Sequence, residues 1–307
     1  MEALSKMISR ACSLGDIEGV KVFREGPTIS HMLYADDALL LGTWSDKNVL
    51  MTNRLLRIFH LVSGLRINAH KSQIFGLGVP DSDVIGIAEV LGCKVGDFPF
   101  IYLGIKIGAN MNRSAHWDVV LETVRSRLLS WKAKLLSMGG RLTLIKSVLA
   151  SLPVYYFSLF KAPKEVIEDI ERLMRKFLWF GNKDGKGIYW VSWDVVSRPK
   201  RYGGLGITKL SEVNLVLLVK WAWRFKTNRE GLWRRVVCSI HGGRGKWSFL
   251  PVKKALPRTW KAIVNLLEKS RVNGSSLDIM FLCNLGNGNN TSFWKDKWFG
   301  DMPLRFR

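Results

Sequence analysis

Charge and tryptophan divide this chain in two. Residues 1–108 carry 11 Lys and Arg against 11 Asp and Glu, whereas residues 109–307 carry 36 against 14, so the whole formal excess of +22 lies in the second part. Of 13 tryptophans, Trp44 alone falls in the first part. A change of regime this abrupt sets a domain boundary near residue 108, and 307 residues are enough for about two domains with cores of their own. A hydrophobic fraction of 47% with 11% aromatics excludes wholesale disorder. The basic, aromatic second part has the electrostatic footprint of a polyanion binder, because neutralising phosphates releases counterions. The plainer alternative is a solvated basic surface around a Trp-rich core.

Other function classes find little support. Cys12, Cys93, Cys238 and Cys283 stand far apart without close Cys or His partners, which argues against a zinc site or a disulfide framework and for reduced intracellular thiols. His31, His60, His70, His116 and His241 show no ligand spacing. Residues 1–10 lack an apolar stretch of signal-peptide length, and the apolar run 213–219 is stopped by Lys220, well short of a membrane span. The expectation is an intracellular protein, nuclear or cytoplasmic, neither secreted nor membrane-bound.

Within the first part, His31-Met32-Leu33-Tyr34-Ala35-Asp36-Asp37-Ala38-Leu39-Leu40-Leu41 sets two adjacent carboxylates between apolar runs, which reads as a β-hairpin with the acids at its tip. Side chains alternate faces along a strand, so a turn is what lets neighbouring acids approach one point. Paired acids there suit magnesium, a hard cation that takes oxygen ligands and leaves positions for phosphates. An ordinary acidic turn is the bland alternative.

Around the hairpin the spacing predicts a helix over 2–12, a strand at 20–23, and a helix capped by Ser45-Asp46 and ended by Gly64. Strand edges are expected at 65–68 and 73–75 around a turn carrying His70 and Lys71, then a short helix to Gly92 and a hairpin over 98–107 through Tyr102-Leu103-Gly104. From Trp117 the period becomes helical, with Val120, Leu121, Val124, Leu128, Trp131 and Leu135 on one stripe and Arg125, Arg127, Lys132 and Lys134 off it. Gly139-Gly140 should break that helix. A second helix over 141–152 and a third from Pro163 should complete a bundle. Beyond Gly181 the spacing suggests strands at 188–193 and 291–294, a turn at Gly203-Gly204, and helices over 212–226 and in the later half of 244–269.

The order of these features is that of a family. Tyr34-Ala35-Asp36-Asp37, Ser63-Gly64-Leu65-Arg66-Ile67-Asn68 with Lys71-Ser72, and Tyr102-Leu103-Gly104 together resemble the reverse transcriptase of LINE-type, non-LTR retrotransposons, the plant members above all. Ser130-Trp131-Lys132, Gly139-Gly140-Arg141 and Leu152-Pro153 resemble the thumb of those proteins. Gly203-Gly204-Leu205-Gly206 and the run Phe293-Trp294-Lys295-Asp296-Lys297-Trp298 resemble their C-terminal extension.

The resemblance implies an α+β fold: a partial polymerase palm of antiparallel hairpins with helices over 1–108, a mainly helical thumb over 109–181, and a mixed, basic, Trp-rich extension over 182–307. It implies that Asp36 and Asp37 hold Mg2+ for attack of a primer 3′ hydroxyl, that Lys71 assists the departing pyrophosphate, and that Tyr34, Tyr102, Leu103 and Gly104 lie along the primer. Arg125, Arg127, Lys132 and Lys134 would meet the phosphates of an RNA–DNA hybrid without reading sequence. A palm of this family also uses an earlier aspartate and fingers, and no acid before Asp36 follows a suitable strand. The expectation is a fragment, inactive by itself unless another chain completes the palm. A domesticated, non-catalytic RNA- or protein-binding factor is the alternative.

Overall fold

The computed structural model describes residues 1–131, 136–181, 188–242, 250–253, 259–272, 275–277, 287, 291–294, 296–300 and 304–306. They fall into two compact units, Met1–Gly108 with Glu230–Gly242, and Ala109–Arg229 with Gly243–Arg307. The fold is α+β, with helices predominating and strands confined to short pairs. No helix of the described residues is long and apolar enough to cross a membrane.

The first unit opens with α1 (Glu2–Ser13), whose stripe buries Leu4 and Ile8. Four short strands follow: β1 (Val20–Lys21) pairs with β2 (Thr28–Ile29), and β3 (His31–Tyr34) with β4 (Asp37–Leu40). Next comes α2 (Asp46–Ser63), begun by the Ser45 hydroxyl accepting from Asn48 N–H and ended by left-handed Gly64, whose N–H reaches the His60 carbonyl. Leu4, Ile8, Ile17, Leu55 and Phe59 form the core under this half, with Leu33 and Leu40 packed against it. An isolated two-stranded ribbon is marginal in water, so this apolar seat is what makes the β3–β4 hairpin persist.

The expected strand at residues 65–68 does not form. Asn68 instead accepts from Lys71 N–H through its side chain and from Ser72 through its carbonyl, winding residues 69–71 into a 3-10 turn. Beyond it β5 (Gln73–Ile74) runs parallel to β6 (Lys94–Val95), the two joined through α3 (Asp81–Leu91). The expected hairpin is present as β7 (Phe100–Tyr102) and β8 (Ile105–Ile107). Phe75 stacks on Phe100 at 4.1 Å and meets Phe98 at 5.5 Å, so this hairpin rests on the β5–β6 pair.

The second unit is helical. Trp117, fully buried and donating from its indole to the Met111 carbonyl, precedes α4 (Asp118–Ser130). In α5 (Met138–Leu144) Gly139 and Gly140 lie in the first turn, where Ser137 caps Gly140 N–H; they begin a helix and do not break one, because α4 has already ended at Ser130. A π-helical turn over Ile145–Leu149 leads to α6 (Val154–Phe157) and α7 (Lys164–Phe180), which Pro163 precedes as N-cap. The expected strand at 188–193 is not one: residues 188–191 are exposed, and Trp193, 6% exposed, starts the short helix α8 (Trp193–Val196). Then come α9 (Leu210–Thr227), α10 (Leu232–His241) of the first unit, α11 (Thr259–Lys269), and the pair β9 (Arg271–Val272) and β10 (Ser275–Ser276). Residues 291–294 also form no strand; Asp296 accepts from Ser292 N–H at 2.6 Å and closes a turn. Val124, Ile145, Phe157, Ile170, Met174 and Leu210 share one core around Trp117.

Candidate functional site

The hairpin β3–β4 places its acids by register. Met32 opposes Leu39 and Tyr34 opposes Asp37, so these four share one face, while His31, Leu33, Ala38 and Leu40 share the other. The second face turns to the core through Leu33 and Leu40. Tyr34 is therefore carried outward, 64% exposed, beside Asp37. Ala35 and Asp36 make the two-residue turn, with Ala35 left-handed at φ +47°. An L residue there costs about 1–3 kcal/mol, which the strands on either side must hold in place.

The base of the hairpin is tied from both sides. Asn48, in the first turn of α2 and 7% exposed, accepts from Glu18 N–H at 2.7 Å. Its amide donates to the Glu18 carbonyl at 2.9 Å and the Thr43 carbonyl at 2.8 Å. Thr43 N–H also reaches the Glu18 carbonyl. The segments entering and leaving the hairpin are thus fastened to one buried side chain. On the core side, His31 meets the Ser5 hydroxyl at 2.7 Å and the Ser30 hydroxyl at 2.9 Å, and burial lowers its pKa. Nothing in the local sequence distinguished Asn48 from an ordinary helix-terminal residue except its place three after a serine cap.

The remaining candidate positions are distributed. Lys71 is exposed at the end of the 3-10 turn, next to β5. Tyr102 closes β7, and Leu103 and Gly104 form the turn at φ +49° and +76°. Two successive positive φ values are those of a type I′ turn, and this conformation explains the glycine. The Phe75–Phe100 stack joins that hairpin to the Lys71 segment, while β3–β4 has its own seat on α1 and α2. Each hairpin is a separate two-stranded sheet, so among the described residues no continuous sheet connects Tyr34, Asp36 and Asp37 with Tyr102.

In the second unit Arg125 and Arg127 are both exposed on α4, but residues two apart lie on opposite sides of a helix. Arg125 also pairs with Glu122 at 3.2 Å. Lys132 and Lys134 lie outside the described residues. The described pair, Arg125 and Arg127, thus does not share one side of α4.

As a metal site the hairpin offers two adjacent carboxylates. Magnesium takes an octahedron of oxygens, and one or two carboxylates suffice only where water and substrate phosphates supply the others. Among the described residues no group of three or more His, Cys, Asp or Glu could hold a metal ion. Asp36 and Asp37 are thus a partial donor set and not a complete centre.

No family model matches the chain. It is 34% identical over 187 residues to a protein of Arabidopsis thaliana provisionally named as a ribonuclease H protein; the match covers 60% of this chain and 29% of that protein. Over 156 residues it is 28% identical to an uncharacterized mitochondrial protein of Arabidopsis thaliana, covering 50% of this chain and 97% of the relative. Over 109 residues it is 36% identical to an uncharacterized 149 kDa protein of transposon TX1 from Xenopus laevis, covering 34% of this chain and 8% of that protein. The chain thus spans well under half the length of two of these relatives. By sequence it is transposon-related.

Proposed function

We propose that this chain is a region of the RNA-directed DNA polymerase of a LINE-type, non-LTR retrotransposon, working on a DNA primer annealed to an RNA template. The observation that carries the reading is the β3–β4 hairpin, which presents Tyr34 and Asp37 on one exposed face with Asp36 in the adjoining turn. In that reading Tyr34 lies beside the primer end and Asp36 and Asp37 contribute carboxylates to magnesium, which when bound neutralises the reacting phosphates. Lys71 stands by the departing pyrophosphate, and the hairpin turn Tyr102-Leu103-Gly104 lies along the primer. The basic second unit, Arg127 included, holds the hybrid by its phosphates.

Two carboxylates leave the attacking oxygen without a fixed position, and misalignment of that kind costs several kcal/mol of barrier, on the order of the 7–11 kcal/mol that full orientation supplies. The chain alone therefore binds hybrid without extending it, and a further carboxylate has to come from elsewhere, another chain included. The same partial donor set, together with the excess of +22, favours a second reading, a non-catalytic nucleic-acid-binding factor.

Primer extension on an RNA template, run beside the Asp36→Asn, Asp37→Asn double variant, tests the catalytic reading. Extension that the double variant abolishes assigns a working enzyme. Hybrid bound but not extended fits the chain standing alone. Hybrid bound no better than a neutral polymer contradicts the polymerase reading.

A further inference from the structure

The second unit carries a basic loop whose charges make no ion pair at contact distance among the described residues. Residues 198–206, Arg-Pro-Lys-Arg-Tyr-Gly-Gly-Leu-Gly, leave α8, make one 3-10 turn over Lys200–Tyr202 and fold back. Tyr202 N–H reaches the Pro199 carbonyl at 2.8 Å, Leu205 N–H that of Val196 at 2.9 Å, and Gly206 N–H that of Arg198 at 2.9 Å. Gly203 is left-handed at φ +78°, and a Cβ on Gly204 would run into the Arg198 carbonyl, so the close return of the chain needs glycine there. Lys146, from the π-helical turn, donates to the Leu205 carbonyl and holds the far side. The amides of Arg198 and of residues 202–206 are bonded within the protein, and the side chains of the turn are left to meet a ligand.

Those side chains are of one kind. Arg198, Lys200 and Arg201 are exposed, and among the described residues none of them has a carboxylate within ion-pairing distance. Asp194, the acid nearest in sequence, is bonded to Lys209 at 2.5 Å and feels Arg198 only as a more distant charge. Tyr202 stands 63% exposed with the Arg201 guanidinium 4.8 Å from its ring centroid. The loop thus presents an aromatic ring, a guanidinium over it, and further cations. Nucleobases stack on both kinds of plane, and phosphates pair with the cations. A base inside a duplex has its faces covered, so a platform of this kind selects unstacked strands.

We propose that the loop 198–206 is a sequence-tolerant binding site for single-stranded nucleic acid, with a base against Tyr202 and Arg201 and the flanking phosphates held by Arg198 and Lys200. It belongs to the second unit and needs no catalysis at the hairpin of the first.

The test uses the full chain and fluorescence anisotropy with a labelled oligouridylate of about 15 nucleotides, the matching oligothymidylate, and an RNA–DNA hybrid. Tyr202→Ala should weaken both single strands by about 5- to 150-fold, the range of losing one base–aromatic stack, and leave the hybrid within about twofold. Tyr202→Phe should restore the single strands, since stacking needs no hydroxyl. A loss confined to RNA or to DNA would still assign the loop and would name the strand it takes. Unchanged single-strand affinity in Tyr202→Ala would overturn the proposal. So would an equal loss for hybrid and single strands. Hybrid affinity doubles as the control for folding, and a wild-type chain that held single strands but no hybrid would overturn the polymerase reading while leaving this one intact.

Discussion

Tyr34 and Asp37 are directly opposed across the β3–β4 hairpin, on the face turned away from the core. The relationship follows from a two-residue turn: with Ala35 and Asp36 at the tip, the residues on either side must pair and must point the same way. A one-residue slip would reverse every side chain and bury Tyr34 and Asp37 in place of Leu33 and Leu40. The exposed placement of the acid and the aromatic is thus fixed by the apolar pattern beneath them.

Asn48 should be the most sensitive polar position of the first unit. Asn48→Ala leaves the Glu18 N–H and the Thr43 carbonyl without the partner that Asn48 supplies and the Glu18 carbonyl with Thr43 N–H alone, a cost of about 2–4 kcal/mol. Urea unfolding reads the loss, and amide exchange at residues 31–40 should quicken with it. Unaltered exchange there would show that the hairpin does not depend on this tie.

His31 gives the first unit a defined pH dependence. Burial lowers its folded-state pKa below the ordinary value of 6.5, so the unfolded chain takes up the proton first as pH falls. Its contribution is present above about pH 6.5 and is lost as the pH drops through the folded-state value. Thermal midpoints measured from about pH 8 to pH 5 should fall more steeply for the wild type than for His31→Gln. Parallel curves would exclude the contribution.

Glu171 is a cap supplied from a distance. Its carboxylate on α7 accepts from Leu210 N–H, the first residue of α9, at 3.0 Å, where the N-cap Lys209 offers no side-chain acceptor. Burial raises its pKa, against lowering by the Leu210 hydrogen bond and by Lys209 and Arg175. A raised folded-state pKa contributes stability below the unfolded value of about 4.5 that is lost as pH rises through the folded one. Glu171→Gln, which keeps the acceptor and sheds the buried charge, should therefore stabilise the chain at neutral pH, with the gain vanishing in acid. Glu171→Ala should destabilise by about 1 kcal/mol. A destabilised Gln variant at neutral pH would refute this account of the charge.

Arg125 and Arg127 should separate in a salt titration of hybrid binding. They lie on opposite sides of α4, and Arg125 is engaged by Glu122. Arg127→Ala should reduce the slope of log affinity against log salt by about 0.9, the amount per phosphate contact, and Arg125→Ala should leave it unchanged. Equal effects would mean that the duplex does not lie along one side of this helix.

Local signals made part of this fold legible. Ser45 and Gly64 mark both ends of α2 because each cap is a property of one residue, and the hairpins at 31–40 and 100–107 follow from alternation about a short turn. Much of what escaped depends on distant partners. The parallel pairing of Ile74 with Val95 and the capping of Leu210 by Glu171 are set by residues the local pattern does not contain, whereas the turn that replaces the expected strand at 291–294 is local, closed by Asp296 four residues after Ser292. Gly139 and Gly140 misled because two glycines serve equally to end one helix or to begin another after a serine cap. Of the candidate site, the hairpin could be read in advance with both acids at its tip; the structure keeps only Asp36 in the turn and sets Asp37 on β4, opposite Tyr34. Its division from the Tyr102 hairpin could not be read, since nothing local says whether two hairpins share a sheet.

The most direct measurement is photocrosslinking from the primer end. A primer carrying 5-iododeoxyuridine as its 3′-terminal nucleotide, annealed to RNA and bound to the full chain, is irradiated, and the modified tryptic peptide is identified by mass spectrometry. If the hairpin is the polymerase element, the crosslink falls on the peptide from Glu25 to Lys47, at Tyr34. It should vanish when the iodinated nucleotide is moved well away from the 3′ end. Crosslinks confined to residues beyond 108, or indifferent to the position of the label, would contradict the assignment.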